Sequence, residues 1–178
     1  MELKQVNIVL TRFRDYVIQQ SRSNLSKSDK NVSNELYNSL KGEILTENNY
    51  SIVGFSMADY GQYQDQGVRG KSSSMRAPNS PFRFGTGTGR KGGLTKNILG
   101  WVKARGFQFR NKENGRFLSY EQTGYLISRS IFHKGIKPSL FFTKPFEAGY
   151  KKYIDTDLMK AFAQDVDTMV DYNLTNIQ

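Results

Sequence analysis

Between Gly70 and Gly93 the sequence reads GKSSSMRAPNSPFRFGTGTGRKGG, rich in Gly, Ser, Arg, Lys and Pro and poor in residues that build a core. Such a stretch reads as a long mobile loop, with Phe82–Phe84 as a short strand at most. The apolar periodicity lies on either side of it, so the fold is assembled from the flanks. With 178 residues the chain fits one domain, 1–178, with 69–93 as a flexible basic loop inside it.

The flanks carry helix and hairpin signals. Leu3, Val6, Leu10, Phe13 and Val17 recur at three–four spacing, widened by Val9 and Ile18, which predicts a helix over 2–23. Ser21–Asn31 is polar and reads as a loop or a frayed helix end. Asn34–Leu40 is a short amphipathic piece. The runs Glu43–Thr46 and Tyr50–Phe55, joined through Glu47-Asn48-Asn49, predict a β-hairpin. Leu94–Ala104 reads as a helix stopped by Gly106, followed by an alternating run, Phe107–Arg110, and a turn at Asn111–Gly115. Ser119–His133 reads as a second central helix, with Ser119 and Gln122 placed for a capping box and an apolar face of Tyr125, Leu126, Ile131 and Phe132. Ser139–Thr143 is read as a short extended run. Phe146, Tyr150, Tyr153, Ile154, Leu158, Ala161, Phe162 and Met169 form the stripe of a last helix over 146–172, with Asp155, Asp157, Asp165, Asp167 and Asp171 exposed. The fold class is α+β: a small antiparallel sheet flanked by a long N-terminal and a long C-terminal helix, with the helices on one face and the basic loop and two central helices inserted.

Charge is concentrated in the middle. Residues 69–116 hold 12 basic side chains and one acid, Glu113, for a net +11, whereas 1–68 is −1 and 117–178 is neutral. A block like this is a footprint for phosphate or for an acidic partner, or a solvated surface kept soluble by charge. Arg69, Lys71, Arg76, Arg83, Arg90, Lys91 and Lys96 are its candidate contacts. Phe82, Phe84, Trp101, Phe107 and Phe109 lie near its arginines, a combination that binds single strands by charge and stacking. Trp101, Phe107 and Phe109 also fit core positions. No helix-turn-helix, zinc-finger or RRM signature appears, so contact with nucleic acid is non-specific.

Catalytic and cofactor chemistry finds no support. The chain has no cysteine and one histidine, which excludes thiolate and His-cluster metal sites and a cysteine nucleophile. His133 sits at a helix end, where it satisfies the last carbonyls or faces solvent. Asp155 and Asp157 are two apart and point to different helix faces. Gly87, Gly89 and Gly92 fit G-x-G-x-x-G, but the strand before them is too short and too polar for a dinucleotide fold. Gly70-Lys71-Ser72 supplies the end of a phosphate-binding loop, but Asp65 stands where that pattern needs glycine. The start, 1–10, has no long apolar core and is read as no signal peptide. No stretch approaches the roughly 20 apolar residues of a membrane span. The chain reads as a soluble protein without cofactor or metal.

The order of pieces resembles the neck and tail-completion proteins of tailed bacteriophages, the small head–tail connector family. The motifs that carry the resemblance are Leu36-Tyr37-Asn38-Ser39-Leu40, Ile52-Val53-Gly54-Phe55 and the run from Tyr60 through Tyr63 to Gly67-Val68. Late in the chain they are Gly135–Phe142 and Lys144-Pro145-Phe146, and Leu99–Gly106 looks like a helix of longer members. The match covers 33–68 and 125–161. The stretch Arg69–Gly124 departs from it, being much longer than in minimal members. The resemblance implies a virion structural protein rather than an enzyme, made in the bacterial cytoplasm. It implies a homo-oligomeric ring at the portal–tail junction, around the DNA channel, bound to neighbouring portal, adaptor and tail proteins. Tyr60, Tyr63, Phe141, Phe142 and Phe146 are its candidate subunit contacts. The competing reading is a nucleic-acid-binding accessory protein that acts as a monomer or dimer.

Overall fold

The computed structural model describes residues 3–27, 34–47, 50–86 and 93–175. Its backbone forms two compact units, residues 1–59 with 141–178 and residues 60–140.

The first unit is organised by α1 (Lys4–Lys27), which buries Val6, Val9, Leu10, Phe13, Val17, Ser21 and Leu25 along one side. The polar run after Ser21 does not begin a loop. The helix continues through Lys27 because Leu25 belongs to the core, packed with Leu36, Leu40 and Phe141. Leu36 comes from α2 (Glu35–Ser39). Next come β1 (Lys41–Thr46) and β2 (Ser51–Ser56), an antiparallel pair with Lys41 opposite Ser56 and Thr46 opposite Ser51. Alternation decides their faces. Ile44 and Val53 pack towards α1, while the cross-strand pair Leu45 and Ile52 faces solvent. Asn48 and Asn49 of the expected turn lie outside the described residues.

The returning chain does not form the extended run expected at Ser139–Thr143. Leu140 has φ 52°, and the chain turns there into α6 (Thr143–Gly149). Phe141 is 2 % exposed. Phe142 and Phe146 join Phe13 and Phe55 in an aromatic cluster, with ring centroids 5.6 to 6.0 Å apart. The long last helix is interrupted. After α6 the backbone widens into a π-helical turn, Tyr150–Ile154, and α7 spans Leu158–Thr175. The Thr156 hydroxyl donates back to the carbonyls of Lys151 and Lys152, a bond that bends helices.

α7 packs on α1 through Leu158 and Ala161, against Val6, Val9 and Leu10. One turn further along, Asp165 corrects its expected exposure. It is buried, and its two carboxylate oxygens accept the backbone amides of Gln5 and Val6, each at 3.0 Å. The first amides of a helix have no partner within it and carry the positive end of its dipole. A carboxylate from a distant helix supplies a cap that the apolar side chain of Leu3, just before α1, cannot.

The second unit holds α3 (Gly61–Gln66), β3 (Val68–Arg69), α4 (Gly93–Arg105), α5 (Tyr120–Lys134) and β4 (Gly135–Ile136). β3 and β4 pair antiparallel, so the single sheet expected is two separate two-stranded ladders. α5 starts with the capping box: Ser119 Oγ accepts from the Gln122 amide and the Gln122 side chain accepts from the Ser119 amide. The face of α5 that the apolar pattern assigns to the core is corrected in part. Tyr125 and Leu126 are exposed, while Thr123, Gly124 and Ser128 are buried. Close approach of α4 selects this face. A methyl group at Gly124 would stand 3.3 Å from the Leu99 Cα, so the helices meet over small residues.

Replacing Asp165 by Ala leaves two amides of α1, that of Val6 buried and that of Gln5 part-buried, without this acceptor. A loss of about 1–3 kcal/mol of stability is expected, read as a lower urea midpoint. Asp165→Asn, which keeps one acceptor oxygen, falls between the two.

Candidate functional site

By sequence, residues 60–140 contain 15 basic and 3 acidic side chains, net +12, and the remainder of the chain is −2. The charge block therefore coincides with a structural unit, which also collects Arg129, Lys134 and Lys137. Its three acids offset little of this field. Asp65 is buried. Glu121 bonds Lys103 at 3.0 Å, and its own backbone amide together with Lys103 holds its carboxyl below the ordinary value.

The described part of the basic loop, 70–86, is tied down bond by bond. Arg69 donates its amide to the Phe82 carbonyl and accepts from the Phe84 amide, a parallel bridge to Arg83. The Lys71 amide donates to Phe132 and the Ser72 amide to His133, at the end of α5. Ser80 turns its hydroxyl inward to the Gly67 carbonyl at 2.7 Å. Two glycines make this crossing possible. A Cβ on Gly70 would lie 2.1 Å from the His133 carbonyl oxygen, and Gly135, at φ 88°, would place one 2.3 Å from that of Val68.

This backbone frame brings four of the candidate cations to one place. Arg83 Nη2 donates to the Lys71 carbonyl at 3.1 Å, and Arg76 Nη1 reaches the Gly135 carbonyl at 3.4 Å. Lys71 Nζ stands 5.8 Å from the Phe132 ring. Arg69 is half-buried and its Nε lies inside without a bond, so Lys71, Arg76 and Arg83 present the charge. Lys96 is exposed on a different element, α4. Arg90, Lys91 and the glycines Gly87, Gly89 and Gly92 lie outside the described residues. Sequence reasoning missed Ser72, whose hydroxyl meets His133 Nδ1 at 2.9 Å and adds a side-chain clasp to the same crossing.

A second basic and aromatic neighbourhood stands at 107–118. There Arg110 and Phe117 bridge antiparallel, and the Leu118 amide donates to the Phe109 carbonyl. Phe107 and Phe109 are exposed and stack edge to face at 5.2 Å. Arg110 covers the exposed Phe117 ring at 4.7 Å. Trp101 is also partly outside, at 38 %. These aromatics offer flat apolar faces beside guanidinium groups.

The candidate subunit contacts divide. Tyr60 and Tyr63 are exposed, and Tyr63 packs on Phe82 with centroids 4.6 Å apart. Phe141 is corrected: the turn at Leu140 delivers it into the core of its own chain, where it presents no surface. Phe142 and Phe146 are half-buried in the aromatic cluster. Other apolar residues that are outside lie on α7, where Phe162, Val166, Val170 and Leu174 follow one another at intervals of four. That spacing is in the sequence, but the core stripe read there takes in Leu158, Ala161 and Phe162 and leaves out Val166, Val170 and Leu174.

Among the described residues no group of three or more His, Asp or Glu is placed to hold a metal ion, and no helix is long and apolar enough to cross a membrane. Comparison with protein-family models, with curated proteins and with solved structures finds no match.

Gly70→Ala forces the crossing apart. A loss of about 2–3 kcal/mol is expected. Limited trypsin digestion, slow after Lys71, Arg76 and Arg83 in the native protein, becomes rapid in the variant.

Proposed function

We propose that this chain is a virion structural protein of a tailed bacteriophage. It assembles as a homo-oligomeric ring in the neck, joins portal-side to tail-side proteins, and turns its basic unit towards DNA in the channel. The observation that carries the reading is the separation of charge between the units, +12 against −2. A ring subunit needs one surface compatible with packaged DNA and others for its neighbours, and that division meets both needs in one chain. Lys71, Arg76 and Arg83 sit on a bonded backbone frame, so their charge is held in place before any ligand arrives. The sequence resemblance supplies the neck and the ring; the fold supplies a mixed helical and antiparallel framework compatible with them.

A second reading is a non-sequence-specific nucleic-acid-binding accessory protein. Its support is the exposed aromatic set Phe107, Phe109 and Phe117 with Arg110 stacked on it, the pairing that binds bases without reading them. The two readings separate by mass. The connector reading expects a ring-sized species from the purified chain, alone or seeded by its neck partners, and weak duplex binding per subunit. The accessory reading expects a monomer or dimer that binds DNA tightly.

Light scattering on the protein alone and with short duplex DNA, at low and moderate salt, distinguishes them. A monomer with tight, steeply salt-dependent binding rejects the connector reading. In either case the combined substitution of Lys71, Arg76 and Arg83 by Gln is expected to lower the slope of log affinity against log salt by about 2–3, close to one unit for each phosphate no longer neutralised.

A further inference from the structure

Two helical faces carry apolar residues that the fold leaves outside. On α7 the stripe Phe162, Val166, Val170 and Leu174 is exposed, reaching 64 % at Leu174. Asp165 marks where α1 begins, and α7 continues for Val166–Thr175 beyond it, with no residue of that stretch buried. At 1.5 Å per residue this is a helical arm of about 15 Å. Asp167 and Asp171 each follow a stripe residue, so they form a parallel acidic row beside it. No basic residue follows Lys160 in the chain. The arm therefore offers an apolar seam with a negative edge.

The complementary surface is on the other unit. On α5, Tyr125 and Leu126 are exposed, and Arg129, four and three residues further on, stands on the same side. This is an apolar seam with Arg129 at one end and, at the other, Glu121 paired with Lys103, set in a unit of net +12. Seams of this kind, an apolar centre with charges at the rim, are what protein interfaces are built from. Like charge disfavours pairing of α7 with α7, and opposite charge on the two edges favours α7 with α5.

We infer that the stripe of α7 docks on the Tyr125–Arg129 face of α5 in a second copy of this chain. The contact uses different patches on the two copies; made in one direction it is head-to-tail and, repeated, generates a ring or an open filament, whereas made reciprocally it closes a two-fold dimer. The inference rests on the ring-forming reading above and names the surfaces that would close the ring.

The absence of cysteine allows a direct test. Val170→Cys and Leu126→Cys are made in separate chains, mixed at high concentration and oxidised. A covalent dimer from the mixture, absent from either variant alone, is expected, and the chain with both changes gives a ladder of multimers. Dimers from Val170→Cys alone as strong as those from the mixture, or a double variant that only closes on itself, overturn the inference. So does a mixture that yields no cross-link. Independently, Asp171→Arg is expected to weaken association about tenfold, and Arg129→Asp in the same chain restores it. A ring whose mass survives Asp171→Arg with no mixed cross-link rejects this contact and leaves the connector reading standing. A double variant whose cross-links end at dimers supports the contact and rejects the connector reading.

Discussion

Two hydrogen bonds from one carboxylate hold the ends of the first unit together. Asp165 receives the amides of Gln5 and Val6, and so links the first turn of the first helix to the middle of the last. Apolar packing between α1 and α7 is tolerant of sliding by itself. A side chain that must reach two particular amides is not. The bonds fix which turn of α7 faces which turn of α1, with Ala161 against Val6, Val9 and Leu10. The same register decides how much of α7 is left over. Ten residues of helix lie beyond the cap, and their apolar side chains remain outside because no described part of the first unit covers them.

The second unit solves a different problem. It carries a large positive charge on a small core, in which Val68, Ala77 and Val102 are the buried apolar side chains. Self-repulsion works against compactness in such a unit. Backbone bonding takes over part of the role of apolar burial. β3 and β4, the bonds from Lys71 and Ser72 to the end of α5, and the return of Ser139 and Leu140 onto the carbonyls of Gln64 and Asp65 close the unit at several points. Glycine at 70 and 135 is the condition for that closeness.

Much of the local structure was legible in the sequence, because it depends on neighbours along the chain. The stripe from Val6 to Val17, the Ser119–Gln122 cap and the two strands of the hairpin all follow from spacing and residue type. What was not legible depends on residues far away. Leu25 carries α1 into its polar run because Phe141 is there to meet it. Asp165 looked like its neighbours Asp167 and Asp171 until the start of α1 was placed beside it. For the candidate site, sequence placed Lys71, Arg76 and Arg83 among seven candidate cations but could not show the frame that gathers them, since Gly70 and Gly135 lie 65 positions apart. The outward faces of α7 and α5 were misread for one reason: helical periodicity marks an apolar face without saying what covers it.

The division of the chain also sets an order of events during synthesis. Residues 60–140 are contiguous and can close as soon as they leave the ribosome. The first unit cannot, because its parts are separated by the whole of the second. α1 emerges at the start, and the carboxylate that caps it follows about 160 residues later. At 5–20 residues per second that interval is about 8–30 s. Through that interval α2 and the hairpin are the described elements of the first unit that α1 can pack against. α7 is the last described element of the first unit to arrive, and its free stripe is exposed in the same step.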